Sequence, residues 1–141
     1  ALQINNHIQD CGEDFRNLDR VYIPQDLMDT EGLLVEAHGA DRASPQLLAC
    51  LRVMVDGTEK LLRERETLAP QVANMRLALE IGVIQTYAWR ILAMLRQRDP
   101  LSERVHLSKP ELLVQSIGGM VGEMIRRAAG RRPLTKPAAG A

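Results

Sequence analysis

Aromatic residues are scarce in this sequence. Its 141 residues include only four, which are Phe15, Tyr22, Tyr87 and Trp89. A hydrophobic core must therefore be built almost entirely from Leu, Ile, Val, Met and Ala, which suits helices packed on helices. The composition predicts an all-α protein, and the length fits one ordinary domain.

The sequence also has no net charge and only two cysteines. Basic and acidic residues number 18 each, so the net charge is zero and gives no global attraction to nucleic acid. Cys11 and Cys50 are too few for a disulfide framework and lack metal-ligand spacing, which indicates small buried thiols in a reducing compartment. No signal peptide and no run of about 18 apolar residues is found, so we expect a cytoplasmic location.

Four long segments carry apolar residues at helical spacing, namely residues 2–18, 44–68, 70–98 and 108–130. The third is apolar around more than one face, which is typical of a central helix. Ser44 is expected to cap the second helix, and Ser108 with Glu111 forms a capping box for the fourth. A shorter helix is expected over 26–31, ending at Gly32, and a loop over 36–43.

The last helix contains Gly118, Gly119 and Gly122, and each costs about 1 kcal/mol relative to Ala in a helix interior. Close approach to a neighbouring helix is the expected compensation. Residues 131–141 have almost nothing to bury, so we expect a flexible tail after a helical part that spans 1–130. The sequence starts without Met and without an N-cap ahead of its first apolar repeat, so we expect a larger fold to extend on that side.

The first segment concentrates charge in the stretch NNHIQDCGEDFRNLDRVYIP. At 100° per residue, Gln3, Asn6, Asp10 and Asp14 fall on one arc of about 80°. Two carboxylates four residues apart lie on one helix face and repel each other, so a cation is expected to offset them. Such oxygen ligands suit Mg²⁺ bound together with substrate phosphates. The alternative is a solvated acidic face, and Glu13 would be a solvated residue in either case.

This stretch resembles the second aspartate-rich motif of the squalene/phytoene synthase family. The family pattern is Gln-x-x-Asn-x-x-x-Asp-x-x-x-Asp, followed by Arg-x-Tyr-x-Pro. The matching residues are Gln3, Asn6, Asp10, Asp14, Arg20, Tyr22 and Pro24. A later stretch, TYAWRILAML…RVHLSKPE, looks like the family's segment before the last helix and places Tyr87, Arg104 and Lys109 on family positions. The resemblance covers residues 1 to about 125.

Two features depart from the family pattern. Many relatives carry Arg before the first Asp of this motif, where this sequence has Gln9. The stretch NHIQDC looks more like bacterial squalene synthases of the hopanoid pathway than like phytoene synthases, with a phytoene or dehydrosqualene synthase as an alternative. The family's first aspartate-rich motif is absent. The chain therefore looks like the C-terminal half of an isoprenoid (terpenoid) synthase-like helical bundle, and the N-terminal half is an expected partner.

The resemblance implies that two isoprenyl diphosphates, farnesyl by preference, are condensed head to head. Asp10 and Asp14 would hold Mg²⁺, with Mn²⁺ as an alternative metal, and NADPH would be required if the product is squalene. The expected diphosphate-binding residues are Gln3, Asn6, Arg20, Tyr22 and Arg104. The expected catalytic tyrosines are Tyr22 and Tyr87, and Tyr87 would line the lipid cavity. The apolar helix around Ile84 and Ile91 would wall the isoprenyl chains.

Each role has an alternative. In place of binding diphosphate, Arg104 would form an ion pair at a helix end. In place of a catalytic role, Tyr87 would be a core residue. The whole chain would also suit a noncatalytic helical binding or assembly protein of the same fold. His7, His38 and His106 have no ligand spacing and are given no role.

Surface features suggest two further partners. Arg126 and Arg127, with residues 131–132, would either touch the anionic inner face of a membrane or form a solvated helix end and tail. Apolar faces left exposed by half a fold would favour a homo-oligomer, and we expect the isolated chain to be inactive.

Overall fold

Helices make up the regular secondary structure of the computed structural model, which describes residues 1–66 and 68–129. The α-helices are α1 (Leu2–Gln9), α2 (Cys11–Leu18), α3 (Gln25–Glu31), α4 (Pro45–Glu64), α5 (Leu68–Gln71), α6 (Met75–Leu95) and α7 (Lys109–Ala128), with a 3-10 helix at Val35–Gly39. No strand occurs among the described residues. The prediction of an all-α fold is confirmed, whereas the predicted tail at 131–141 lies outside the described residues.

The chain divides into two compact units. The first comprises Ala1–Leu62 with Ala88–Leu107, and the second comprises Arg63–Tyr87 with Ser108–Ala141, of which 108–129 are described on the C-terminal side. Helix α6 therefore contributes its first part to one unit and its last part to the other. The prediction of a single helical part over 1–130 stays a prediction.

The helix ends follow the signals in the sequence. Ser44 accepts a hydrogen bond from the Leu47 amide at 3.1 Å at the start of α4. Ser108 and Glu111 form the expected capping box at the start of α7. Gly32 ends α3 with φ of 63°, a left-handed conformation that glycine adopts without steric cost.

Three predicted boundaries are wrong. The helix expected over 2–18 is divided into α1 and α2, because Asp10 leaves helical geometry with φ of −99° and ψ of 3°. The helix expected over 70–98 is divided into α5 and α6, since the Asn74 side chain accepts a hydrogen bond from the Leu77 amide and starts a new helix. The loop expected over 36–43 contains the end of the 3-10 helix, which packs against α2.

The first unit contains a continuous aliphatic core. Its fully buried members come from α1, α3, α4 and α6, and include Ile8, Met28, Leu47 and Leu92. Both cysteines are free and buried, as predicted. Burial raises the pKa of the Cys11 thiol to about 11, which keeps it protonated at neutral pH.

In the second unit α6 and α7 meet at a pair of glycines. A Cβ on Gly119 would lie 2.8 Å from the Val83 Cα and 3.0 Å from the Gly82 carbonyl oxygen, so only hydrogen fits there. The prediction of close approach is confirmed at Gly119. It is wrong at Gly118, where nothing lies within 4 Å of such a Cβ, and at Gly122, where the nearest atom is Arg126 Nη1 of the same helix at 3.6 Å.

The same unit contains a buried ion pair that the sequence did not reveal. Glu123 is fully buried and its carboxylate pairs with Arg126 at 3.0 Å and Arg127 at 3.2 Å. Arg127 also donates hydrogen bonds to the carbonyl oxygens of Ala69 and Val72. Arg127 therefore fixes the end of α7 to the α5 region, and the prediction of a solvated helix end is wrong for this residue. Arg126 stays partly exposed, and the predicted membrane contact stays a prediction.

Helix α6 is long and apolar enough, by length and composition, to cross a membrane. Buried helices of proteins that do not enter membranes meet the same criterion. Its last part contributes Ala88, Ile91 and Leu92 to the core of the first unit. Ile91 thus lies in that core, and its predicted place in the wall of a lipid cavity stays a prediction.

Candidate functional site

The two aspartates of the motif lie at the junction of α1 and α2. Although Asp10 interrupts the helix, the Asp10 amide still bonds to the Asn6 carbonyl at 2.9 Å, and the Asp14 amide bonds to the Asp10 carbonyl at 2.8 Å. These bonds keep the four-residue spacing of an α-helix across the junction. Asp10 and Asp14 therefore remain one turn apart, and both side chains are half-buried.

Asp14 is held by Tyr22. The Tyr22 hydroxyl donates a hydrogen bond to the Asp14 carboxylate at 2.5 Å. This bond raises the pKa of the Tyr22 hydroxyl, and the neighbouring Arg20 side chain opposes the effect. Three residues of the predicted site, Asp14, Arg20 and Tyr22, are thus brought together by the extended segment after α2.

His7 completes the group around Tyr22. Its ring stacks on the Tyr22 ring with centroids 4.0 Å apart and an angle of 20° between the planes. The Gln3 amide nitrogen lies 3.3 Å from His7 Nε2. Nothing in the sequence indicates a role for His7. The sequence-based prediction of the site therefore missed a residue that fixes the orientation of Tyr22.

Asp10 has a different neighbour. His106 Nε2 lies 3.7 Å from Asp10 Oδ1, within the range of a charge pair although too far for a hydrogen bond. Burial raises the pKa of the Asp10 carboxyl, the negative charges of Asp14 and Glu13 add to this, and the neighbouring imidazoles of His106 and His7 oppose it. The carboxylates therefore repel each other in the protein without a cation, as the sequence suggested.

Two buried amides fix α1 in the first unit. Asn5 is fully buried and donates a hydrogen bond to the Ala88 carbonyl at 3.0 Å, while the Gln9 side chain donates one to the Val105 carbonyl. Asn5 and Gln9 are four residues apart, so both lie on the buried face of α1. They fix α1 to α6 and to the segment after it, so the backbone that carries Asp10 is held at two points.

The segment between α6 and α7 is organised by Asp99. Its carboxylate accepts hydrogen bonds from the Ala43 amide at 3.0 Å, the Leu101 amide at 2.9 Å and the Ser102 hydroxyl at 2.8 Å. Burial acts to raise the pKa of Asp99, but these hydrogen bonds outweigh it and the pKa is lowered. The segment that carries Arg104 and His106 is therefore anchored.

The other predicted site residues lie farther from the carboxylates or make other contacts. Gln3 and Asn6 are exposed on α1. Arg104 is exposed and lines a polar groove of about 460 Å³ together with Gln9, Glu13 and Arg16. Neither Asp10 nor Asp14 lines this groove, and the predicted diphosphate contact of Arg104 stays a prediction.

Tyr87 belongs to the second unit. Its hydroxyl donates a hydrogen bond to the Leu112 carbonyl at 3.1 Å and also contacts the Ser116 hydroxyl. These bonds join α6 to α7, which is the kind of role expected of a structural tyrosine. The predicted catalytic role of Tyr87 stays a prediction.

An apolar groove runs along the second unit. It has a volume of about 790 Å³ and is lined by Met75, Arg76, Leu79, Glu80, Val83, Ile84, Ser116 and Met120. The volume is within the range of small-molecule sites. Ile84 lines this groove, and its predicted role beside an isoprenyl chain stays a prediction.

The donor set at the aspartate pair fits Mg²⁺. No cluster of three or more His, Cys, Asp or Glu side chains suited to a metal occurs in the part of the chain that the structure describes. A site made by this chain alone would therefore offer two carboxylates, Asp10 and Asp14. That set suits Mg²⁺, which binds one or two carboxylates and completes its shell with water and substrate phosphate oxygens.

The sequence matches the squalene/phytoene synthase family over residues 1–111. The chain belongs to the squalene/phytoene synthase family. The motif, the spacing of its two aspartates and the helical fold all agree with this membership, so the resemblance seen in the sequence is confirmed.

Individual relatives agree with the family match. The chain is 49% identical to the hydroxysqualene synthase of Rhodopseudomonas palustris over 138 residues, which cover 98% of this chain and 47% of the relative. It is 49% identical to the hydroxysqualene synthase of Sinorhizobium fredii over 131 residues, covering 93% and 45%. It is 31% identical to the phytoene synthase of Thermus thermophilus over 107 residues, covering 76% and 37%. No solved structure matches the chain significantly.

The chain spans a little under half the length of the curated relatives it matches. This ratio agrees with the prediction, made from the missing first aspartate-rich motif, that relatives are about twice as long.

Proposed function

We propose that this chain supplies one of the two aspartate-rich walls of the active site of a prenyltransferase that condenses two farnesyl diphosphates head to head. The observation that carries the proposal is the pair Asp10 and Asp14, one helical turn apart, with Tyr22 bonded to Asp14 in a chain of this family. A noncatalytic descendant of the fold would have no need to keep these groups together.

In this proposal Asp10 and Asp14 bind Mg²⁺, which neutralises the diphosphate leaving group of the substrate. Tyr22 keeps the Asp14 carboxylate oriented through the 2.5 Å hydrogen bond. Arg20, beside the Tyr22 hydroxyl, presents a guanidinium whose planar donor fork suits phosphate oxygens. Gln3 and Asn6, exposed on the preceding turns, offer amides to water or phosphate.

The apolar groove of the second unit is proposed to receive an isoprenyl chain. Met75, Leu79, Val83, Ile84 and Met120 give it aliphatic walls without a buried charge. Such walls exclude water, which would otherwise quench a carbocation at the wrong carbon.

We propose hydroxysqualene as the product, in agreement with the names of the two relatives at 49% identity. A hydroxylated product arises when the final cation is captured by water, whereas squalene requires a hydride. The reaction then needs Mg²⁺ and no NADPH. The phytoene alternative rests on a relative that is less similar, at 31% identity.

A chimera tests the proposal. This chain would replace the matching segment of the Rhodopseudomonas palustris relative, and the purified chimera would be incubated with farnesyl diphosphate and Mg²⁺, with and without NADPH. We expect hydroxysqualene in both reactions, identified by mass spectrometry. Geranylgeranyl diphosphate in a parallel reaction tests the phytoene alternative.

The control is the same chimera with Asp10→Asn and Asp14→Asn. A folded parent chimera that makes no product from either diphosphate, while the unmodified relative is active, would contradict the proposed function.

A further inference from the structure

The Gln9 side chain links the aspartate motif to His106. It is almost fully buried, and its amide nitrogen donates to the Val105 carbonyl oxygen while lying 3.4 Å from His106 Nδ1. Gln9 directly precedes Asp10, and His106 Nε2 lies 3.7 Å from Asp10 Oδ1. Gln9, His106 and Asp10 thus lie next to one another, with His106 between the side chains of Gln9, the last residue of α1, and Asp10, the residue that follows it.

The Val105 carbonyl determines how the Gln9 amide is oriented. A carbonyl oxygen only accepts hydrogen bonds, so the atom of the Gln9 amide that faces it must be the NH₂ group and not the oxygen. The same NH₂ group faces His106 Nδ1, which must then be the acceptor. A neutral imidazole whose Nδ1 is an acceptor carries its hydrogen on Nε2, the nitrogen that faces Asp10.

We propose that His106 is a positioning residue for Asp10, held by Gln9 in the tautomer whose Nε2–H faces the Asp10 carboxylate. The proposal rests on the proposed function, in which Asp10 is a metal ligand. Carboxylates that bind metals are commonly oriented by hydrogen-bonding partners outside the metal's own shell. Tyr22 serves Asp14 in this way through a hydrogen bond, and the His106 imidazole, with Nε2 3.7 Å from Asp10 Oδ1, is the corresponding neighbour of Asp10.

The surroundings support a fixed imidazole rather than a freely rotating surface side chain. The backbone at Val105 is held by Gln9, and the turn that precedes it is held by the three hydrogen bonds to Asp99. His106 keeps 46% of its side-chain surface exposed, so replacing it should not disturb the core. The position therefore permits a direct experiment.

The first test is the tautomer itself. Ring nitrogen shifts of His106 in the ¹⁵N-labelled chain would be measured at about pH 8, where an ordinary imidazole is neutral. We expect the Nε2–H form to dominate in the parent and its share to fall in Gln9→Met, which removes the donor at similar size. A dominant Nδ1–H form in the parent would overturn the proposal without reference to any metal.

The second test is metal affinity, measured as Mn²⁺ binding by electron paramagnetic resonance with no diphosphate present. His106→Phe should weaken binding on the order of 10-fold. His106→Gln, which restores an N–H donor, should recover most of the loss. Lys60→Gln is the control, since it removes an exposed positive charge of α4 that belongs to no proposed site, and it should leave the affinity unchanged.

The outcomes separate the two proposals. Affinity that falls in Asp10→Asn but not in His106→Phe would refute the positioning role and leave the proposed function standing. Affinity unchanged in Asp10→Asn would contradict the proposed function, and with it the role of His106, even if the tautomer is as expected.

Discussion

The packing of α6 against α7 gives a sharp prediction, because Gly118 and Gly119 are neighbours with opposite surroundings. A methyl group on Gly119 would lie 2.8 Å from the Val83 Cα, and 3.0 Å from both the Gly82 carbonyl oxygen and the Thr86 hydroxyl. The first two are backbone atoms, which cannot rotate away. The two helices would have to separate.

The cost of Gly119→Ala follows from two terms. Forcing an extra carbon into a packed interface costs up to about 3 kcal/mol, while replacing glycine by alanine inside a helix returns about 1 kcal/mol. We therefore expect a net loss of about 2 kcal/mol. Gly118→Ala meets nothing within 4 Å and should gain up to about 1 kcal/mol.

The assay is urea denaturation followed by far-ultraviolet circular dichroism, on the parent and both variants. The two alanines differ by one position on the same helix, so their helix propensities cancel and the difference of about 3 kcal/mol reports packing alone. A Gly119→Ala chain as stable as Gly118→Ala would refute the close approach of α6 and α7.

Three other predictions follow from the structure. Asp99→Asn should lower stability at neutral pH. The pKa of Asp99 is lowered in the folded state, so its contribution to the free energy of unfolding is complete above the ordinary carboxyl pKa and disappears as the pH falls through the folded-state pKa. If Asp99→Asn lowers the free energy of unfolding by the same amount at every pH in an acid denaturation series, this prediction is contradicted. Cys11 and Cys50 should resist a thiol reagent in the native chain and react in denaturant, because both are buried and both have a raised pKa; rapid native labelling would show that the first unit opens. The isolated chain should give no product from farnesyl diphosphate and should self-associate in sedimentation experiments, because α7 leaves many apolar side chains exposed; turnover above a no-protein control would show that one aspartate-rich motif suffices.

Local signals in the sequence predicted much of the fold. Ser44, Gly32 and the Ser108 capping box specify helix ends through hydrogen bonds within a few residues, so they could be read without knowledge of tertiary structure. The division at Asn74 also has a local cause, an Asn that caps the next helix. It was missed because the apolar residues on both sides continue the same helical period.

The candidate site was predicted only in part, because some of the residues that contact its aspartates come from segments distant in the sequence. Asp10 and Asp14 could be paired from their spacing alone. His106 reaches Asp10 only because the Asp99 turn brings the segment after α6 back to α1, and nothing in the spacing of the histidines indicates this. Buried Glu123, which holds two arginines expected at the surface, was missed for the same reason.

The central claim is that Asp10 and Asp14 together bind Mg²⁺ and diphosphate. The most direct measurement is a calorimetric titration of inorganic diphosphate into the chain in the presence of Mg²⁺. The parent is compared with a double variant, Asp10→Asn with Asp14→Asn, which keeps side-chain size and removes two charges.

The matched control, Glu13→Gln with Asp19→Asn, removes two charges from the same region outside the pair. Asn is tolerated at position 19, where φ is 52°. We predict that Mg²⁺-dependent diphosphate binding is lost in the Asp10 and Asp14 variant and retained in the control. Equal affinity in the parent and in the Asp10 and Asp14 variant would contradict the assignment of these residues as metal ligands.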